Sequence, residues 1–117
     1  MNAFLKSFVY ALKGIKISLS QRNTRIHFLC ALMVVLAGLC FSITLTEWLI
    51  LLLCIGIVIS LEIINTAIET LVDLVSPNYH ELAGKVKDLA AGAVLLFSII
   101  SAIVGILIFW KYVVLIF

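Results

Sequence analysis

The chain has 117 residues, of which 65% are hydrophobic and 12% are charged, and its formal net charge is +2. A soluble domain of this length needs more charged surface than this, so the composition excludes one and predicts an all-α integral membrane protein. The small charge, without a basic patch interleaved with aromatic residues, also argues against nucleic acid as a partner.

The N-terminal segment, about residues 3–20, predicts an amphipathic helix that lies at the membrane surface. Its apolar residues recur at helical spacing, whereas its lysines lie largely apart from them. The lysines also interrupt any continuous apolar run, which argues against a cleaved signal peptide. The apolar stripe comprises Phe4, Phe8, Leu12, Ile15 and Leu19, and the lysines are Lys6, Lys13 and Lys16.

Three apolar stretches follow, and each is long enough for a spanning helix, which needs about 20 mainly apolar residues. We interpret residues 1–117 as a single membrane domain with three spans. Between the second and third spans, residues 70–88 are polar and contain the sole proline, Pro77, which predicts a loop with a turn. The predicted spans cover about residues 28–45, 48–68 and 89–109.

The basic residues are distributed unevenly between the two ends of these spans. Most of them precede the first span or lie between the second and third spans, and none lies between the first and second. Because short cytoplasmic segments are enriched in lysine and arginine, this distribution predicts a cytoplasmic N-terminus. The cytoplasmic group comprises Lys6, Lys13, Lys16, Arg22, Arg25, Lys85 and Lys87, and Lys111 lies at the other face.

Four polar residues lie on one stripe of the second span and its extension: Glu62, Asn65, Glu69 and Asp73. A charge at the centre of a span costs about 2.5 to 3.5 kcal/mol, so this stripe must face protein, a water-filled cleft or a cation. Glu69 and Asp73 could also be solvated carboxylates at a helix end. For Glu62, the alternative is a structural hydrogen bond to an asparagine or a lysine.

A second polar cluster, Lys85, Lys87 and Asp88, precedes the third span at the same membrane face. By itself it could be a basic membrane anchor with a carboxylate favoured by the helix dipole. Beside the acidic stripe, it suggests a site for a polyanion and its metal, because carboxylates hold divalent cations and lysine neutralises phosphate.

The sequence contains no glycine-rich phosphate-binding motif, no GxSxG motif and no zinc-ligand pattern. We interpret His27 and His80, which are isolated, as hydrogen-bonded interface residues. The residues alone therefore leave open an enzyme, a small non-enzymatic cation or proton transport protein that uses the Glu62, Glu69 and Asp73 stripe, and a membrane-assembly subunit in which Glu62 is structural.

Several of these motifs, taken together, resemble the small prokaryotic diacylglycerol kinase and undecaprenol kinase family. The likeness covers most of the chain and agrees with the length and the three spans. It rests on Glu62-Ile63-Ile64-Asn65-Thr66-Ala67-Ile68-Glu69, Val72-Asp73, Tyr79-His80-Glu81-Leu82-Ala83 and Lys87-Asp88, and upstream on Arg22-Asn23 and Arg25-Ile26-His27.

The resemblance implies a homotrimeric enzyme of the bacterial cytoplasmic (inner) membrane that moves the γ-phosphoryl group of ATP, with Mg²⁺, to the hydroxyl of a membrane lipid. It implies that Glu62 is the general base, that Glu69 binds the metal, and that Glu62 and Asn65 meet the lipid substrate. The nucleotide-binding residues that it implies are Tyr10, Gln21, Glu69, Asn78, Tyr79, His80, Lys87 and Asp88.

One position departs from the family pattern. The family usually has a second metal-binding glutamate just before Arg22-Asn23, where this chain has Gln21. An amide oxygen can still coordinate Mg²⁺, but it adds no charge. The apolar outer halves of the spans favour a kinase over a transporter, and the link over residues 22–27 favours undecaprenol over diacylglycerol as the substrate.

Overall fold

The computed structural model describes residues 2–117, and this part of the chain is helical without a β-strand. Three of its four helices are long and apolar enough to cross a membrane. The predicted all-α architecture with three spanning helices is therefore confirmed. The helices are α1, Ala3–Ser18; α2, Arg22–Phe41; α3, Leu45–Val75; and α4, Glu81–Ile116.

The N-terminal helix α1 begins where the side chain of Asn2 accepts a hydrogen bond from the Leu5 backbone N–H, at 2.9 Å. Its apolar residues Phe4 and Phe8 are exposed, and their rings contact each other edge to face. The rest of the chain thus leaves this stripe uncovered, as a helix at the membrane surface requires. The surface location itself stays a prediction.

The turn between α2 and α3 lies earlier than the sequence predicts. Helix α2 ends at Phe41, and Ser42 adopts a left-handed conformation, with φ of 52°. A capping box then starts α3, because the Thr44 side chain accepts from the Glu47 N–H and the Glu47 carboxylate accepts from the Thr44 N–H. The helix of the first span therefore does not reach residue 45, since capping chemistry rather than hydropathy determines where these helices end.

The prediction of a loop over residues 70–88 was wrong for most of that segment. Helix α3 continues to Val75 and α4 begins at Glu81, so only residues 76–80 lie outside the helices. Polar side chains mark the end of the apolar core, but a helix can extend beyond it. At about 1.5 Å per residue, α3 and α4 are about 46 and 54 Å long, longer than the roughly 30 Å of hydrocarbon.

Helices α3 and α4 pack along each other, and α2 and α1 also contact α3. The best-buried apolar cluster lies at the end away from residues 76–80 and contains Ile43, Leu51 and Ile108. Beside it, the Tyr112 hydroxyl donates to the Glu47 carboxylate, which also lies 3.1 Å from Lys111 Nζ. This cluster fixes the three spanning helices at one end, and the polar stripe lies towards the other.

Candidate active site

The polar stripe of α3 runs from the interior of the helix bundle to solvent. Glu62 and Asn65 are buried, with 3% and 7% of their surface exposed, Glu69 is half-buried, and Asp73 is exposed. Glu62 and Glu69 are seven residues apart, which separates them by about 10 Å along the helix axis. The stripe therefore presents one carboxylate at depth and two nearer to water.

The middle of the stripe is connected by hydrogen bonds. The Asn65 amide N–H donates to Glu69 Oε1 at 3.2 Å, and the Thr66 hydroxyl donates to the backbone carbonyl of Glu62 at 3.1 Å. The Asn65 Oδ1 atom is buried and has no hydrogen-bond partner within residues 2–117. An unpaired buried oxygen beside a carboxylate is available to a ligand or a cation.

The deep carboxylate has a histidine beside it. His27, on α2, places Nε2 3.6 Å from Glu62 Oε2. From the sequence, we expected an asparagine or a lysine as the structural partner of Glu62, and we interpreted His27 as an isolated interface residue. Asn65 instead donates to Glu69. The pairing of Glu62 with His27 was therefore missed.

Asp73 and Lys87 join the solvent ends of α3 and α4. Lys87 Nζ lies 2.6 Å from Asp73 Oδ1, across the segment of residues 76–80. Both side chains are substantially exposed, so the pair adds little to stability. The pair places the Lys87 ammonium group at the solvent end of the stripe, where Glu69 also lies.

The side chains of two adjacent residues of α4, Lys87 and Asp88, point in different directions. Lys87 reaches Asp73 on α3, whereas Asp88 lines a shallow groove with Lys85 and Gly92, a groove whose lining residues all lie on α4. Successive residues of a helix point about 100° apart, so the two side chains leave α4 in different directions. Among residues 2–117, no hydrogen bond or ion pair joins Asp88 to the acidic stripe.

The other residues predicted for the nucleotide are also dispersed. Tyr10 is exposed on α1, with Lys13 Nζ 5.7 Å from its ring centroid, and Gln21 is exposed at the N-cap of α2 without capping it. Tyr79 is 92% exposed, and the His80 side chain caps α4 by accepting from the Leu82 N–H. In the described chain, no hydrogen bond or ion pair connects these residues, or the exposed Asn78, to Glu62 or Glu69.

The side chains present are compatible with Mg²⁺ at Glu69. Residues 2–117 contain no group of three or more His, Cys, Asp or Glu side chains close enough to enclose a metal. Mg²⁺ does not need such a cage, because it keeps several waters and binds through one or two carboxylates plus substrate phosphates. The half-buried Glu69 carboxylate, towards the solvent end of the stripe, can supply one such ligand.

A family model described as prokaryotic diacylglycerol kinase matches residues 9–109 of this chain. The match includes the acidic stripe, the 76–80 segment and most of each spanning helix. The chain belongs to this family. As a member of the prokaryotic diacylglycerol kinase family, it is a membrane protein and a lipid kinase, and kinase chemistry implies a nucleotide donor and a lipid substrate.

Individual members of this family are similar in sequence to this chain over most of its length. Undecaprenol kinase of Bacillus subtilis is 46% identical over 110 residues, which cover 93% of this chain and 89% of that protein. A diacylglycerol kinase of Synechocystis is 44% identical over 103 residues, which cover 86% of this chain and 59% of that protein. The diacylglycerol kinase of Escherichia coli is 28% identical over 109 residues, covering 92% and 89% of the two chains.

Proposed function

We propose that this protein transfers the γ-phosphoryl group of ATP to the hydroxyl of a membrane lipid alcohol, with undecaprenol preferred over diacylglycerol. The observation that carries this proposal is the stripe on α3, with Glu62 buried about 10 Å deeper than the half-buried Glu69. A lipid hydroxyl approaches from the membrane and a nucleotide approaches from water. This difference in depth supports a role for Glu62 at the lipid hydroxyl and for Glu69 at the nucleotide.

The preference for undecaprenol rests on sequence likeness. The undecaprenol kinase of Bacillus subtilis is 46% identical, with 89% of that protein covered. The diacylglycerol kinase of Escherichia coli is covered to the same extent but is 28% identical, and that of Synechocystis is 44% identical but covered over 59% of its length. The segment over residues 22–27, whose sequence favours this substrate, begins α2, and its last residue, His27, lies beside Glu62. A transport function using the same stripe has weaker support, because the family members that match are kinases.

In the proposed reaction, Glu62 is the general base. The lipid hydroxyl gives its proton to a Glu62 carboxylate oxygen while the lipid oxygen bonds to the γ-phosphorus. The bond from that phosphorus to the β,γ-bridging oxygen breaks, and ADP leaves with the electron pair. Such a transfer depends mainly on positioning and charge stabilisation, and Asn65 is proposed to position the lipid headgroup.

The nucleotide is proposed to bind at the solvent end of the stripe. Glu69, with Gln21, would hold Mg²⁺, which neutralises phosphate charge when bound. Lys87, which pairs with Asp73, supplies an ammonium group at that end. The remaining residues proposed to contact the nucleotide are Tyr10, Asn78, Tyr79, His80 and Asp88.

We also propose that the protein works as a homotrimer in the bacterial inner membrane, with its N-terminus in the cytoplasm. Many apolar side chains of the spanning helices are exposed in the single chain, so lipid or other copies must cover them. Asp88 lines a groove formed by α4 residues alone. In the proposed trimer, a neighbouring copy would bring its own acidic stripe close to Asp88.

Purified protein in detergent micelles, incubated with γ-labelled ATP and Mg²⁺, tests the proposal. We expect label in undecaprenol and less in diacylglycerol, and a Glu62→Gln variant should lose most turnover, because general-base catalysis contributes about 10²- to 10⁴-fold. A Glu81→Gln variant, which removes an exposed carboxylate outside the proposed site, is the matched control. Absence of label from both lipids would refute the function, and full turnover by Glu62→Gln would refute the role of that residue.

A further inference from the structure

The Glu62 carboxylate has few interactions for a buried charged group. Its backbone carbonyl accepts from Thr66, and the nearby Asn65 amide donates to Glu69 instead. Among the hydrogen bonds and ion pairs of residues 2–117, the contact with His27 is the one that the Glu62 carboxylate makes. A buried carboxylate needs a partner to hold one orientation, and here that partner comes from another helix.

His27 lies on a part of α2 that is packed inside the protein. Thr24, three residues earlier on the same side of α2, is completely buried. The first turn of α2 is therefore packed in the protein interior, and the His27 side chain is itself about three-quarters buried. The separation of 3.6 Å is longer than a hydrogen bond, but contacts of catalytic groups often tighten only when substrate binds.

His27 also lies at the end of a cavity between the spanning helices. The cavity has a volume of about 280 Å³ and is lined almost entirely by apolar atoms of α2, α3 and α4. His27 is its first lining residue on α2, and Ile59, one turn before Glu62, is its last on α3. The His27 imidazole therefore borders both the Glu62 carboxylate and an apolar space suited to a hydrocarbon chain.

We propose that His27 is a positioning residue that holds the Glu62 carboxylate towards the cavity end, where the hydroxyl of the lipid substrate meets it. This inference rests on the proposed kinase function and adds a residue to it. His27 does not take the proton itself. It donates N–H to one carboxylate oxygen, which leaves the other oxygen directed at the lipid hydroxyl, and correct orientation of a reacting group accounts for a large part of enzymatic rate.

Kinetics of His27→Ala and His27→Gln variants test this role, with Cys40→Ala on the exposed face of the same helix as the control. We expect alanine to lower kcat by about tenfold or more, with little change in the KM for ATP, because the base is misaligned while the nucleotide site is intact. Glutamine should restore most of kcat, since its amide N–H reaches a similar place. An alanine variant with wild-type kcat, or equal losses for alanine and glutamine, would overturn the inference.

A double mutant separates positioning from a general structural effect. If His27 acts through Glu62, adding His27→Ala to Glu62→Gln should lower the residual rate little further, whereas independent effects multiply. The ¹⁵N signals of the His27 ring should shift on Glu62→Gln and not on Glu81→Gln. Wild-type protein that phosphorylates no lipid refutes the proposed function, whereas active wild-type protein with multiplicative losses and an unshifted ring refutes the role of His27 alone.

Discussion

At the scale of single residues, the candidate site combines side chains of very different exposure. Glu62 is almost fully buried and has His27 as its partner, while Asp73 and Lys87 pair in solvent. A carboxylate kept inside a spanning helix has a cost that a solvated one does not. We therefore expect substitutions at the deep end of the stripe to affect lipid chemistry, and those at the shallow end to affect nucleotide and metal.

Gln21 gives a prediction at the shallow end. If it is a Mg²⁺ ligand, Gln21→Glu adds a negative charge to the donor set and should lower the Mg²⁺ concentration needed for half-maximal activity by severalfold. Titration of activity with Mg²⁺ at saturating ATP measures this, and Gln21→Ala should shift the midpoint the other way. Identical midpoints for all three proteins would remove Gln21 from the metal site.

At the scale of elements, hydropathy indicated which helices exist but not where they end. The spacing of Glu62, Asn65 and Glu69 was sufficient to place them on one face, because helical periodicity does not depend on neighbours. The ends of α2 and α3 depend on the capping box at Thr44 and on the stop at residues 76–80, and lipid-facing hydropathy does not report these.

The sequence placed Lys87 near the acidic stripe, but it could not predict the detailed contacts between different helices. The contact of His27 with Glu62 requires the packing of α2 on α3. The divergence of Lys87 and Asp88 became visible once α4 was known to begin at Glu81. With residues 70–88 taken as a loop, the two side chains could have faced the same ligand.

The close approach of α2 to the start of α3 leads to a stability prediction. A Cβ atom added at Gly38 would lie 2.7 Å from the Trp48 ring and 3.1 Å from Ile43, so a wide aromatic side chain would have to move. Gly38→Ala should cost about 1 to 3 kcal/mol through overpacking and lower the Tm in detergent. Gly14→Ala is the control, because no atom lies within 4 Å of the added Cβ. An unchanged Tm for Gly38→Ala would show that Trp48 has space to shift.

At the scale of the whole molecule, both ends of the helix bundle carry polar side chains, but the two sets of side chains differ in chemistry and exposure. The end containing residues 76–80 carries the acidic stripe, Lys87 and the exposed Asp88, whereas the opposite end carries Glu47 enclosed by Tyr112 and Lys111. The Glu47 carboxylate is buried and already bonded to Tyr112 and Lys111, so it is not free to bind a substrate. Exposed charges at the other end remain available to a nucleotide, so the proposed function requires that end to face the cytoplasm.

Thiol labelling tests this orientation. Ser20 and Thr46 are exposed near opposite ends of the spanning helices, and each can be replaced by cysteine in a chain whose native Cys30, Cys40 and Cys54 are changed to alanine. Because basic residues accumulate at the Ser20 end, a membrane-impermeant reagent should label Ser20→Cys in inside-out vesicles and Thr46→Cys in right-side-out vesicles. The reverse pattern would place the acidic stripe outside the cell, away from ATP, and would contradict both the topology and the proposed kinase reaction.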